Sequence, residues 1–236
     1  MKKSVGFLIA SVVLVLAVCA LATDKTFTSS GSIVDGDIYN FVQVQNNGTI
    51  VNMSGGQINE SLFIRDSSTF NMSDGSISGG ITVSPSSILN VSNGTINGGW
   101  NVESNAIVNI SGGNITAGLL KTYPGYPSIP ESIVNINGGI LNFDMFGIGG
   151  TLNIYRGLLN VNKFSYWGTS SEYINIYGSE FNYNPITQIL TGRLLDNNLF
   201  TIGGVDSIEY TKFNLIPEPI SIMFFSFGLA FLRKQK

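Results

Sequence analysis

An asparagine opens the same short phrase every nineteen residues, at Asn52, Asn71, Asn90 and Asn109. The phrases read IVNMSGGQI, TFNMSDGSI, ILNVSNGTI and IVNISGGNI, with no insertion between them. Looser copies follow as IVNINGGIL around Asn135, TLNIYRGLL around Asn153 and YINIYGSEF around Asn175. A fixed period near twenty residues marks a solenoid, in which one unit cannot bury its apolar face alone and stacking on neighbours completes the core.

Within each unit the hydrophobic period is two. Val51 and Met53, Phe70 and Met72, Leu89 and Val91, Val108 and Ile110 flank the Asn. Successive strand residues point to opposite faces, so these pairs turn inward and the Asn outward. A glycine turn follows (Gly55-Gly56, Gly75, Gly94, Gly112-Gly113), where the chain must corner. Then come an inward Ile (Ile58, Ile77, Ile96, Ile115) and a second inward pair, such as Leu62 with Ile64 or Ile81 with Val83. The pattern predicts an all-β, single-domain parallel β-helix of about 19 residues per rung. It is right-handed by the bias of parallel connections, and eight or nine rungs would make a rod of roughly 40 Å. The Leu-x-x-Leu-x-Leu consensus of leucine-rich repeats is missing.

Composition agrees with this reading and narrows the function. Charged residues are 11% of the chain, against roughly 25% in ordinary domains, and 28 of 236 residues are glycine. With a net charge of −3 and no clustered Lys or Arg outside the two ends, a nucleic-acid partner is not expected. The chain has no His, which removes the commonest general acid/base. Its acids are scattered, and none recurs at the rung spacing with a second acid two residues away, so no catalytic residue is expected. Asp35-Gly36-Asp37 could contribute to a calcium site but lacks the repeated Gly-Gly-x-Gly-x-Asp pattern, so no metal or other cofactor is expected.

The two ends read as addresses. Residues 1–22 have a basic start (Lys2, Lys3), an apolar run from Val5 to Val18, and Ala20-Leu21-Ala22 as a small-x-small site. This predicts a secretory signal peptide cut after Ala22. An alternative takes Leu16-Ala17-Val18-Cys19 as a lipobox with Cys19 lipidated, against which stands the bulky Val18. If Ala22 is the site, the only Cys leaves with the signal and the mature chain holds no thiol.

At the other end, Pro217-Glu218-Pro219 precedes an apolar run from Ile220 to Leu232 and the basic tail Arg233-Lys234-Gln235-Lys236. This order resembles the PEP-CTERM sorting signal of exported bacterial proteins. The resemblance covers about twenty residues. It implies that an exosortase-type enzyme reads Pro217, Glu218 and Pro219, while a short hydrophobic helix stalls transiently in the inner membrane and Arg233 and Lys234 stay cytoplasmic. The apolar run has thirteen residues, about 20 Å as a helix against the roughly 30 Å hydrocarbon core, so the anchor is short for the family.

Between the ends, Asn52, Asn71, Asn90 and Asn109 are expected to stack as a polar ladder, with rungs about 4.8 Å apart. Ser54, Ser73, Ser92 and Ser111 should form a hydroxyl column beside it. The ladder also accounts for Asn-x-Ser at these four asparagines, which otherwise reads as a glycosylation signal. An insertion lengthens the interval between Asn109 and Asn135 to twenty-six residues and carries Tyr123 and Tyr126 among prolines. These tyrosines, and more weakly Tyr166 and Trp167, could stack on sugar rings or simply cover a flank.

The layout expected is a signal peptide (1–22), β-solenoid repeats (23–183), a cap or linker (184–215) and a sorting and anchor segment (216–236). The function expected is a non-catalytic, exported cell-surface or matrix protein in adhesion or matrix structure, with extracellular polysaccharide as a candidate partner. The alternatives are a secreted carbohydrate-binding module and, behind it, a degenerate polysaccharide lyase.

Overall fold

The structure, a computed structural model, describes residues 22–123, 130–166 and 174–218. The chain coils into a parallel β-solenoid of about seven turns with a spacing near 19 residues. Each turn has three faces. Face A carries the Asn phrase, and its segments pair Asn against Asn from Asn52 through Asn71, Asn90, Asn109, Asn135, Asn153 and Asn175 to Asn214. Face B stacks Ile58, Ile77, Ile96, Ile115, Leu141, Leu159 and Phe200. Face C stacks Val42, Leu62, Ile81, Trp100, Leu120, Phe146 and Phe164. All these inward side chains on faces B and C are at most 2% exposed. Burying each adds about 1.5–3 kcal/mol, which gives the rod a continuous core without a disulfide.

The corners follow from residue chemistry. Between faces A and B the chain turns at Gly56, Gly75, Gly94 and Gly113 with φ of 73–97°, and a Cβ on Gly75 would stand 2.6 Å from the carbonyl oxygen of Gly55 one turn below. Only glycine tolerates both demands. Between faces C and A the left-handed residues are polar instead: Asp66, Ser67, Ser86 and Asn105, at φ 55–64°. There Ser68 N–H bonds Arg65 O and Ser87 N–H bonds Ser84 O, both at 3.1 Å, closing equivalent turns on successive rungs. Long strands such as Ile50–Ile64 and Ile133–Ile148 continue through the corner between faces A and B, where their pairing shifts register, at Ser54 and at Asn137, before the ladder resumes on face B.

After Gly178 the chain leaves its helical path. Ile174–Asn184 pairs antiparallel with Ile189–Leu194, which pairs antiparallel with Leu199–Ile202, and that strand stacks in parallel on face B at Leu159–Val161. The short helix Ser207–Tyr210 follows, its N-terminus closed by a capping box between Asp206 and Glu209. Phe213–Pro217 then returns to face A as its last rung. Aromatic pairs seal the end: Phe164 with Phe213, Phe181 with Phe200, and Tyr183 stacked on Tyr210 at 4.1 Å.

Phe70 is fully buried on face A, so Phe70→Ala should cost about 3–5 kcal/mol. Thr82→Ala, on the outer side of face C, should stay within about 0.5 kcal/mol. Urea unfolding followed by circular dichroism measures both. Equal effects would contradict the inward assignment of Phe70.

Candidate binding face

The outer side of face A is the most regular surface of the rod. Along it, Asn71 Nδ2 donates to Asn52 Oδ1, and the same bond recurs from Asn90, Asn109, Asn135, Asn153 and Asn175 to the rung below, each at 2.8 Å. Asn214 adds a seventh bond to Asn175 at 3.1 Å. Every amide points in the same sense, so the ladder is a continuous hydrogen-bonded column. The four expected asparagines are joined by four more.

An Asn amide has two N–H donors and two acceptor lone pairs. The ladder uses one of each on interior members, which leaves a second donor and a second lone pair on the outer edge. Beside the ladder the serines behave differently from a hydroxyl column. Ser73 Oγ donates to Met53 O, Ser92 Oγ to Met72 O and Ser111 Oγ to Val91 O, at 3.2–3.4 Å, each binding backbone of the preceding turn. A hydroxyl hydrogen spent on a backbone carbonyl leaves the oxygen as an outward acceptor. On the other flank Ile50, Thr69, Ile88, Ile107, Ile133 and Thr151 form a β-branched column of Ile and Thr in register. None of the three columns carries a charge through these rungs.

The serine column ends in a step. Asn137 and then Tyr155 and Tyr177 take its place, and the two rings stack with centroids 4.4 Å apart and planes 18° from parallel. Burial, and then Tyr177 as charge neighbour and hydrogen-bond partner, push the Tyr155 phenol above its ordinary value of 10.0, so it stays neutral through the physiological range. The cap holds this residue from both sides: Leu195 N–H bonds Tyr155 O at 2.9 Å, and Asp196 Oδ2 accepts from Gly157 N–H at 2.7 Å. In front of Tyr155 lies a cavity of about 290 Å³ lined by Asn109, Ile110, Ser111, Asn135, Asn137 and the Tyr155 ring.

Other sequence candidates sit apart from this step. Tyr123, on the corner after face C, has the Lys121 Nζ 4.7 Å from its ring centroid, and Ser132 Oγ donates to its carbonyl at 2.8 Å. Lys212 Nζ lies 5.0 Å from the Tyr166 ring. Tyr126, Trp167, Ala20, Cys19, Pro219, Arg233 and Lys234 lie outside the described residues, as do the signal peptide up to residue 21 and the apolar C-terminal run. Asp35, Asp37 and Asp74 line a hollow of about 310 Å³, where Asp37 accepts from Val34 N–H and Asp74 from Gly75 N–H. No group of three His, Cys, Asp or Glu arranged for a metal occurs among the described residues. Pro217 ends the last strand and Glu218 N–H bonds Gly178 O at 3.1 Å.

Two features went unread in the sequence although it carries a signal for each. Asn214 sits in Phe213-Asn214-Leu215, which keeps the apolar-Asn-apolar triplet but lies thirty-nine residues from Asn175 and lacks a glycine turn. Tyr155 and Tyr177 follow Asn-Ile in copies where earlier phrases have Ser. Comparison with family profiles, with curated proteins and with solved structures gave no match.

Asn90 makes two ladder bonds and Asn52 one. Asn90→Ala should therefore lose about 1–2 kcal/mol in urea unfolding, and Asn52→Ala about half as much. Equal losses would mean that the ladder bonds do not contribute individually.

Proposed function

We propose that the chain is an exported, non-catalytic cell-surface or matrix protein, whose rigid solenoid body is processed at Pro217-Glu218-Pro219 by an exosortase-type enzyme. The observation that carries this reading is that every ladder asparagine, from Asn52 to Asn214, precedes the box. Among the described residues Phe213–Pro217 is the final rung of face A, and Glu218 N–H bonds Gly178 O beside it. A cut after the box would leave all eight ladder asparagines and all three inward columns within the released piece. The order of an apolar run and a basic tail beyond the box supports the same reading from the sequence side.

The core from Phe27 to Val205 is built of stacked apolar side chains, and the one Cys of the chain lies in the predicted signal segment. Acids of the rod also have structural work: Asp206 and Glu209 cap the helix, Glu180 pairs with Arg193 at 2.8 Å, and Asp196 binds Gly157 N–H. That supports a rod used for its surface rather than for chemistry.

The test is intact mass and location in the native host, for the natural sequence and for a triple Pro217→Ala, Glu218→Ala, Pro219→Ala variant. The expected result is a mature chain beginning at Thr23 and truncated near Glu218 for the natural sequence, with the variant retained full-length at the membrane. A full-length C-terminus indifferent to the substitutions would refute processing at the box.

A further inference from the structure

From the step at Tyr155 we infer a binding site for one end or one short stretch of a neutral, hydroxyl-rich sugar chain. The inference stands apart from the sorting reading, since it concerns only the folded rod. Three observations converge on it.

First, the hollow is lined by three amides, a hydroxyl, Ile110 and one aromatic ring, with no charged side chain among them. A lining of this kind, with amides beside an apolar ring and no charge to pair an ion, suits a ligand that is polar but uncharged and carries apolar C–H faces. Second, the donors and acceptors are fixed. Asn109 and Asn135 are locked by ladder bonds of 2.8 Å on both sides, and Ser111 by its bond to Val91 O. Each amide retains an outward donor and acceptor, the complementary pair that a hydroxyl group, itself donor and acceptor, can satisfy. Preorganised groups lose little entropy on binding, which is where weak sugar contacts are usually lost.

Third, Tyr155 supplies the wall that a flat polar array lacks. Its ring stacks on Tyr177, while its backbone carbonyl accepts from Leu195 N–H and the Asp196 carboxylate anchors Gly157 N–H two residues on. The C–H face of a sugar ring carries slight positive charge and stacks on the negative face of an aromatic ring. With about 290 Å³, the cavity lies at the small end of ligand pockets, which run from roughly 300 to 1,000 Å³. That is room for a short stretch of chain, not for a long one lying along the rod.

The rest of face A argues for this placement over others. Below the step, the ladder and serine column have no projecting ring, so a sugar there would gain hydrogen bonds without a stacking surface. The hollow on face C near Phe63 has an aromatic edge, but Arg65 covers that ring at 4.9 Å.

The test is affinity electrophoresis of the purified full chain, in a detergent without a sugar headgroup, through gels containing soluble xylan, mannan, galactan, mixed-linkage glucan or anionic polygalacturonate. Retardation is expected in at least one neutral gel. Tyr155→Ala should raise the apparent Kd at least tenfold while Tyr155→Phe keeps it within threefold, because the ring and not the hydroxyl makes the wall. Ser111→Met fills the cavity from an outward position and should abolish retardation even if Tyr155→Ala disturbs folding, and Thr82→Ala on face C should change nothing. No retardation in any neutral gel, retardation by polygalacturonate alone, or binding that survives Ser111→Met would each overturn the assignment.

Discussion

In-register parallel stacking is the constraint on which everything else in this molecule rests. Each residue of a turn has its own counterpart as neighbour about 4.8 Å above and below. The path length per turn must therefore stay constant, and any surplus must leave the rod. The interval from Asn109 to Asn135 is twenty-six residues, yet the two amides still meet at 2.8 Å, because the surplus is spent between Thr122 and Ile133. The interval from Asn175 to Asn214 is thirty-nine, and the surplus becomes the antiparallel strands and short helix of the cap. Face A keeps its register through both.

The same constraint explains the composition. On a stacked rod an outward Lys or Asp repeated at one position would face its own charge on the next rung. At 4.8 Å in water that repulsion is about 0.9 kcal/mol per step, and larger where protein displaces solvent. Asn and Ser meet no such penalty, since each is both donor and acceptor and can bond to a copy of itself or to the neighbouring backbone. A charge content of 11% is in keeping with a self-stacking surface. It also leaves face A uncharged, which narrows what can bind there.

Much of this was readable beforehand because repetition makes register visible. The period, the inward pairs and the ladder from Asn52 to Asn109 are all spaced by one number, and pairing follows from it. Where the number fails, reading fails too. Asn214 was invisible because its rung returns after a detour, and the antiparallel strands of the cap have no period to betray them. The Tyr155–Tyr177 stack was legible in principle, since both residues follow Asn-Ile in aligned phrases. It was missed because aromatics in an irregular insertion, Tyr123 and Tyr126, look more like a binding loop than aromatics within a strand. The serine hydroxyls illustrate a different limit: spacing placed them in a column, but only coordinates show that they bond backbone rather than one another.

Among the described residues the first and final strands of the rod each pair on one side only, and an unpaired strand edge can recruit another chain. At the lower end Thr23–Phe27 carries Asp24 and Lys25, charges that oppose edge-to-edge association. At the upper end of face A the strand Phe213–Pro217 pairs with Ile174–Gly178 on one side. Glu218 N–H points to that partner, and backbone donors alternate along a strand, so the Pro217 nitrogen faces the opposite, outer edge. A proline there breaks no ladder bond and removes one donor from the open edge. Pro217 thus has a structural reason for its position that is separate from any enzyme's reading of the box. An edge-blocking role and a recognition role would favour the same residue, so the effect of Pro217→Ala on self-association must be separated from its effect on processing.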